Sequence, residues 1–360
     1  MASPPPGCDP DSIVLTFPVA REHAGLRLDR FLQTRIPRLS RTRANRIVKA
    51  CAYRADGTRR RASERVRAGE IVLIVRPPMN EPPTPQSYGV LYEDEDVLAV
   101  HKPSGLPMHP TATYHRNTLT HLLSRDYGED APQFAHRLDR ETSGVVVCGK
   151  HGVAEVALKR CFERREAAKS YLAIVRGVPP EAGEIDRPMG SAPGGPHVRM
   201  AVREDGVEAI TRFEVLERRE TASLVRLFPK TGRQHQLRVH LAFLGHPIIG
   251  DKLYGPDAEA PFLEIIEEGW SDDLLRRLGH ARHALHAETL EVPHPRTGER
   301  MRLVADLPWD LLALWDAVDE VLAGDPVLNW RDLLQPRWQA EERPRLGDEP
   351  NSGGQDTDLL

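Results

Sequence analysis

Cysteine is scarce and scattered in this chain. Cys8, Cys51, Cys148 and Cys161 are the only four in 360 residues, and no two form a C-x-x-C pair. That spacing excludes a zinc knuckle and offers no disulfide framework, so a reducing compartment is expected. Long apolar runs are missing too. None approaches the ~20 residues needed to cross a bilayer, and the opening MASPPPGCDPDS has no basic segment followed by an apolar one, so a cytoplasmic protein with no membrane partner is expected. Several catalytic frames are also absent. Ser143 lacks a G-x-S-x-G setting, and there is no H-E-x-x-H. His283 and His286 would neighbour each other on a helix turn, but no third ligand accompanies them, and no metal is expected. Gly144, Gly149 and Lys150 imitate a phosphate loop. The intervening Val145, Val146, Val147 and Cys148 favour a strand, however, and His151 fills the last position, which excludes that reading.

Charge is present but uneven. The formal net charge is -4, yet residues 21–80 hold 16 Lys or Arg against 5 Asp or Glu, while residues 256–280 hold 7 acids against 2 Arg. One end of the chain can therefore neutralise several phosphates. Length and 40% apolar content predict two folded domains. Residues 1–20 begin Pro-rich and are expected to form a disordered tail, as are residues 326–360, which are acidic and aperiodic. The run RPPMNEPPTPQSYG marks a linker, placed at 77–87 between a small domain at 21–76 and a large one at 88–325.

In the small domain, Leu28, Phe31, Leu32 and Ile36 recur at helical spacing, and Ser40 caps a second helix running to about Lys49. On that helix Ala44, Ile47, Val48 and Cys51 share one side. Arg46 and Lys49 point the other way, with Arg41 at the margin. A solvated face or a phosphate-binding face would look alike here; the excess of Arg favours phosphate. The large domain mixes strand-like runs (DVLAVHKP, GVVVCGK, YLAIVRG, SLVRLF) with helix-like ones (VAEVALKRCFERRE, RQHQLRVHLAFLG). They do not alternate strictly, so an α+β fold is expected.

Two resemblances follow from these strings. RLDRFLQTRIPRLSRTRANRIVKA, a basic turn and VRAGEIVLIV resemble the S4 RNA-binding module over about residues 25–76, with KACAYRADG in place of its usual V-N-G turn. YEDEDVLAVHKPSGLPMHP, HRLDRETSGVVV, AKSYLAIVRG, TGRQHQLRVHLAFLGHPIIGD and HALHAETLEVPHPRTGE resemble the RluA-type RNA pseudouridine synthases over about residues 90–305. His101 stands where the family usually has Asn, and the acidic segment 256–280 is a further difference.

The second resemblance implies an S4-like domain followed by a catalytic domain on a mixed, mainly antiparallel sheet. It also implies isomerisation of uridine to pseudouridine without a cofactor, with large-subunit ribosomal RNA as partner, transfer RNA as the alternative, and a monomeric enzyme. By it Asp139 is the catalytic carboxylate, Arg238 the cation that keeps it ionised, and Tyr171 the ring against the uracil. Leu285 and Lys102 pack around that ring, and Arg137 fills the space left by the extruded base. Arg41, Arg46 and Lys49 anchor the surrounding RNA. Such a reaction develops positive charge at the ribose, which an ionised carboxylate can stabilise, attack, or relieve by taking a proton from C2′. Taken without the family, Asp139 also suits a turn that caps backbone amides, Tyr171 a core, and Arg238 an exposed helix face. The rival from another class is an inactive RNA-binding or ribosome-assembly protein that keeps the fold.

Overall fold

The computed structural model describes residues 3–324, apart from 11, 37–38, 79, 112, 195 and 197. The expected tail at 326–360 lies outside the described residues. The chain divides into two compact units with a break between Pro82 and Pro83, residues 111–116 being grouped with the first.

In the first unit, helices Leu28–Arg35 and Arg41–Cys51 accompany a three-stranded antiparallel sheet ordered Ile13–Pro18, Ile71–Arg76, Ala52–Tyr53. Leu28, Phe31 and Leu32 are fully buried and meet Val48, Val72 and Ile74. Each such side chain contributes roughly 2 kcal/mol of burial. Ser40 Oγ accepts the Arg43 N–H at 3.3 Å, so the expected cap is in place. The strand Ile13–Pro18 corrects the sequence reading, which put it in a disordered tail: the apolar IVLTF pairs along its whole length with Ile71–Arg76.

The second unit is built on a ten-stranded sheet. Its order is Gly89–Glu93, Val97–Lys102, Ser143–Gly149, Leu285–Pro293, Ala168–Arg176, Ala222–Pro229, Ile210–Arg218, Ala182–Asp186. Gln133–Phe134 pairs with Ser143–Gly149, and Arg300–Val304 with Leu285–Pro293. All its pairings are antiparallel except Ser143–Gly149 beside Leu285–Pro293, where His286 meets Ser143 and Ala287 meets Gly144. This is the expected α+β class with a mixed, mainly antiparallel sheet.

The parallel pairing depends on Gly144. Its φ is +119°, and a Cβ there would stand 2.1 Å from the Ala287 carbonyl oxygen, so no other residue fits without moving a strand. Three adjacent central strands thereby bring together the loop before Ser143, the start of Leu285–Pro293 and the first half of Ala168–Arg176. Helix Gln236–Phe243 packs Leu237 and Leu241 into the same core.

Candidate active site

Asp139 sits in the loop between Gln133–Phe134 and Ser143–Gly149, and this loop is clamped through its backbone. Lys102 Nζ donates to the carbonyls of Pro103, Leu106 and Arg140 at 2.8, 2.9 and 3.0 Å. Gly105 N–H reaches the Arg140 carbonyl at 2.8 Å, and Ser104 Oγ the Glu141 carbonyl at 2.9 Å. Glu141 pairs with Lys252 at 2.7 Å, and Thr142 Oγ1 meets His283 Nε2 at 2.8 Å. The residues just after Asp139 therefore have little freedom, while 24% of its own side chain stays exposed.

What the carboxylate faces is a cavity of about 440 Å³, of a size suited to a small ligand. Asp139, Tyr171, Arg238, Leu285 and Arg137 all line it. Arg238 Nη1 donates to Asp139 Oδ2 at 3.0 Å. Its Nε and Nη2 grip Asp251 Oδ2 and Oδ1 at 2.6 and 2.9 Å, and the guanidinium lies 5.0 Å from the centre of the Tyr254 ring. Asp251 is buried and also accepts the backbone N–H groups of Leu253 and Tyr254. The guanidinium is thus fixed by one carboxylate and presented to another.

Burial alone would favour protonated Asp139, but the charge and hydrogen bond of Arg238, joined by His235 and His283 in their protonated forms, outweigh it and hold the carboxyl below its usual range. Burial pushes His235 itself down to about 4 and His283 to about 3. Both rings are uncharged at neutral pH, which leaves Arg238 as the cation that keeps Asp139 ionised. Asp251 is driven to about 2 by the same guanidinium acting against the burial of its carboxyl. Tyr171, opposed by burial and by the Asp139 charge, has its hydroxyl pKa raised and stays un-ionised.

Each residue expected from sequence can now be placed. Arg137 is exposed and Leu138 buried, so Arg137 and Asp139 do share a face, turned to the cavity. Leu285 is buried at the cavity wall. Lys102 corrects the expectation that it packs against the ring: it is fully buried, its ammonium is committed to three carbonyls, and it does not line the cavity. Arg41, Arg46 and Lys49 are exposed on helix Arg41–Cys51 in the other unit. His283 and His286 are not on a helix; His286 is on strand Leu285–Pro293, its Nδ1 bonded to Ser143 Oγ at 2.9 Å. The helix read from RQHQLRVHLAFLG starts only at Gln236, because His235 is left-handed, with φ 57°.

Asp251 and His235 were not singled out from sequence. A charged residue directly after the apolar Ile248–Ile249 and Gly250 was the available signal for the first. The acidic segment 256–280 forms two short helices, Ala260–Glu267 and Asp272–Leu278. Among the described residues Asp94, Asp96 and His294 have metal-ligand spacing, yet Tyr92, His151 and Arg296 already bond to those carboxylates at 2.6, 2.8 and 2.7 Å.

Residues 96–243 match the family described as RNA pseudouridylate synthase. The chain is 37% identical over 318 residues to ribosomal large subunit pseudouridine synthase D of Xanthomonas campestris pv. campestris, covering 86% of this chain and 94% of that one. It is 35% identical to an uncharacterized RNA pseudouridine synthase of Aquifex aeolicus, covering 86% and 98%. Among solved structures, human RNA pseudouridylate synthase domain containing 4 is 30% identical, with a TM-score of 0.51 over 65% of this chain and 93% of that one.

Proposed function

This chain belongs to the RNA pseudouridylate synthase family, and on that premise we propose that it modifies large-subunit ribosomal RNA with Asp139 as the reacting group. The isomerisation breaks the N1–C1′ bond of uridine, joins C5 to C1′ and transfers the C5 hydrogen to N1 in net balance, with no change of oxidation state. The observation that carries the assignment is Asp139: a carboxylate on the cavity wall, kept charged by Arg238 at 3.0 Å. Charge is needed whether the group stabilises, attacks or deprotonates the ribose.

Tyr171 and Leu285 hold the uracil after it leaves, which lets the ring turn and present C5. Because the target base is stacked in folded RNA, it is first extruded at a cost of a few kcal/mol, and Arg137 fills the gap. Lys102 acts from behind, by holding the turn that carries Asp139. The S4-like unit supplies Arg41, Arg46 and Lys49 to the phosphates around the target. The Xanthomonas relative, named for the large ribosomal subunit and alike over 86% of the chain, supports the ribosomal substrate and with it a cytoplasmic place of action.

Pseudouridine mapping by carbodiimide treatment and primer extension on ribosomal and transfer RNA, with and without the gene, tests the substrate. Loss of a stop in large-subunit RNA is expected on deletion. Loss confined to transfer RNA, or no loss, contradicts the proposal.

A further inference from the structure

His235 holds a backbone conformation that most side chains avoid. It precedes helix Gln236–Phe243 with φ 57° and ψ 15°, and its side chain makes no capping bond. Residues other than glycine occupy that region rarely, asparagine, aspartate and histidine several-fold more often than the rest. Backbone geometry therefore permits an imidazole here without requiring one.

The surroundings of the ring favour one tautomer. Tyr254 Oη accepts the Met200 N–H at 2.8 Å and lies 2.8 Å from His235 Nδ1, while Nε2 faces the Asp139 carboxylate, which favours a hydrogen on Nε2 and the Tyr254 hydroxyl as donor to Nδ1. With Nδ1 accepting, a neutral imidazole carries its hydrogen on Nε2. Burial keeps the ring neutral. Nε2 lies 3.8 Å from Asp139 Oδ2, beyond hydrogen-bond reach. The outcome is a neutral donor of fixed direction beside the carboxylate, on the cavity wall.

Resting on the assignment of Asp139 to the ribose, a donor at this point has a use. When the N1–C1′ bond breaks, its electron pair moves into the uracil and spreads over N1, O2 and O4. O2 is carried by C2, the neighbour of N1, and so lies close to the ribose on which Asp139 acts. Arg238 is committed to Asp139 and Asp251. We propose that His235 donates its Nε2–H to uracil O2 as the glycosidic bond breaks, stabilising the departing anion, with Tyr254 as the positioning residue that sets the tautomer. The role is that of a preorganised oxyanion donor, and no proton is transferred.

The test uses the full chain in single-turnover reactions on an unmodified large-subunit ribosomal RNA transcript, with RNA affinity and thermal unfolding measured alongside. His235→Gly removes the ring and relieves the backbone. It is expected to unfold at the wild-type temperature or higher, to bind RNA within about twofold of wild type, and to react roughly 10- to 100-fold more slowly. His235→Asn keeps a donor on a tolerated backbone and is expected to recover part of that loss. Tyr254→Phe is expected to slow the reaction about 3- to 10-fold with RNA affinity unchanged. A His235→Gly enzyme that reacts at the wild-type rate, or whose loss is matched by loss of binding or of stability, overturns the proposal. Asp139→Asn in the same assay separates the two readings. If it is inactive while His235→Gly is unimpaired, only the His235 role fails; if it turns over, the assignment beneath it fails.

Discussion

Arg238 meets Asp139 through a single 3.0 Å hydrogen bond while two more, at 2.6 and 2.9 Å, tie the same guanidinium to the buried Asp251. The pair is thus asymmetric: Asp251 takes the structural half of the cation, and Asp139 is kept charged yet partly open to the cavity.

The charge relation can be tested by removing the cation without orphaning its second partner. Arg238→Met alone leaves Asp251 buried and unpaired, and is expected to cost about 3–5 kcal/mol of stability in urea unfolding. Arg238→Met with Asp251→Asn leaves no such charge. A depressed Asp139 pKa means that wild-type activity survives until pH falls through that low value. Without Arg238 the carboxyl protonates at higher pH. In the double variant the acid limb of the kcat/KM profile is expected to move up by about one unit or more; an unmoved limb would show that Arg238 does not set the ionisation.

Lys102 is expected to act on rate through the loop it holds. Lys102→Met removes one charged donor from each of three carbonyls but also removes a costly buried ammonium, so the net loss is about 3 kcal/mol, below the sum of three charged hydrogen bonds. Because the Arg140 carbonyl, one residue after Asp139, loses the ammonium and keeps the Gly105 N–H, kcat should fall with KM nearly constant. A rise in KM alone would restore the direct contact with substrate.

Gly144 tolerates no side chain. Gly144→Ala drives a Cβ into the Ala287 carbonyl at a backbone angle foreign to alanine, and is expected to cost about 4 kcal/mol or more, or to yield insoluble protein. Wild-type stability in urea unfolding would contradict the strand pairing described.

On the small unit, replacing Arg41, Arg46 and Lys49 jointly by Ala should leave folding intact, since all three are exposed. RNA affinity is expected to fall, and the slope of log affinity against log salt to flatten by about 2. An unchanged slope would show that this helix face does not meet phosphate.

The parts legible in sequence were those fixed by neighbours along the chain. Asp139 stands inside H-R-L-D-x-x-T-S-G, Tyr171 at the head of an apolar strand, and Leu237 and Leu241 on a helical stripe. What was missed depends on contacts that the chain makes at a distance. Lys102 looked like a residue of the cavity because one carbonyl that claims its ammonium comes from 38 residues away. Asp251 carries no pattern that names Arg238 as its partner. His283 and His286 fit a helix turn by spacing, and only pairing with Ser143–Gly149 on one side and Ala168–Arg176 on the other makes the second a strand residue. The strand Ile13–Pro18 was obscured by the Pro-rich residues before it and needed Ile71–Arg76 to become visible.

The most direct test of the account is Asp139→Asn, assayed for single-turnover pseudouridine formation and for affinity on the same large-subunit ribosomal RNA transcript. The substitution keeps the shape of the side chain and removes its charge. Turnover should be abolished while RNA affinity stays within about threefold of wild type, since the phosphate contacts that dominate affinity are untouched. Pseudouridine formed by the Asn variant at a rate comparable to wild type would contradict the claim that an ionised Asp139 is the reacting group.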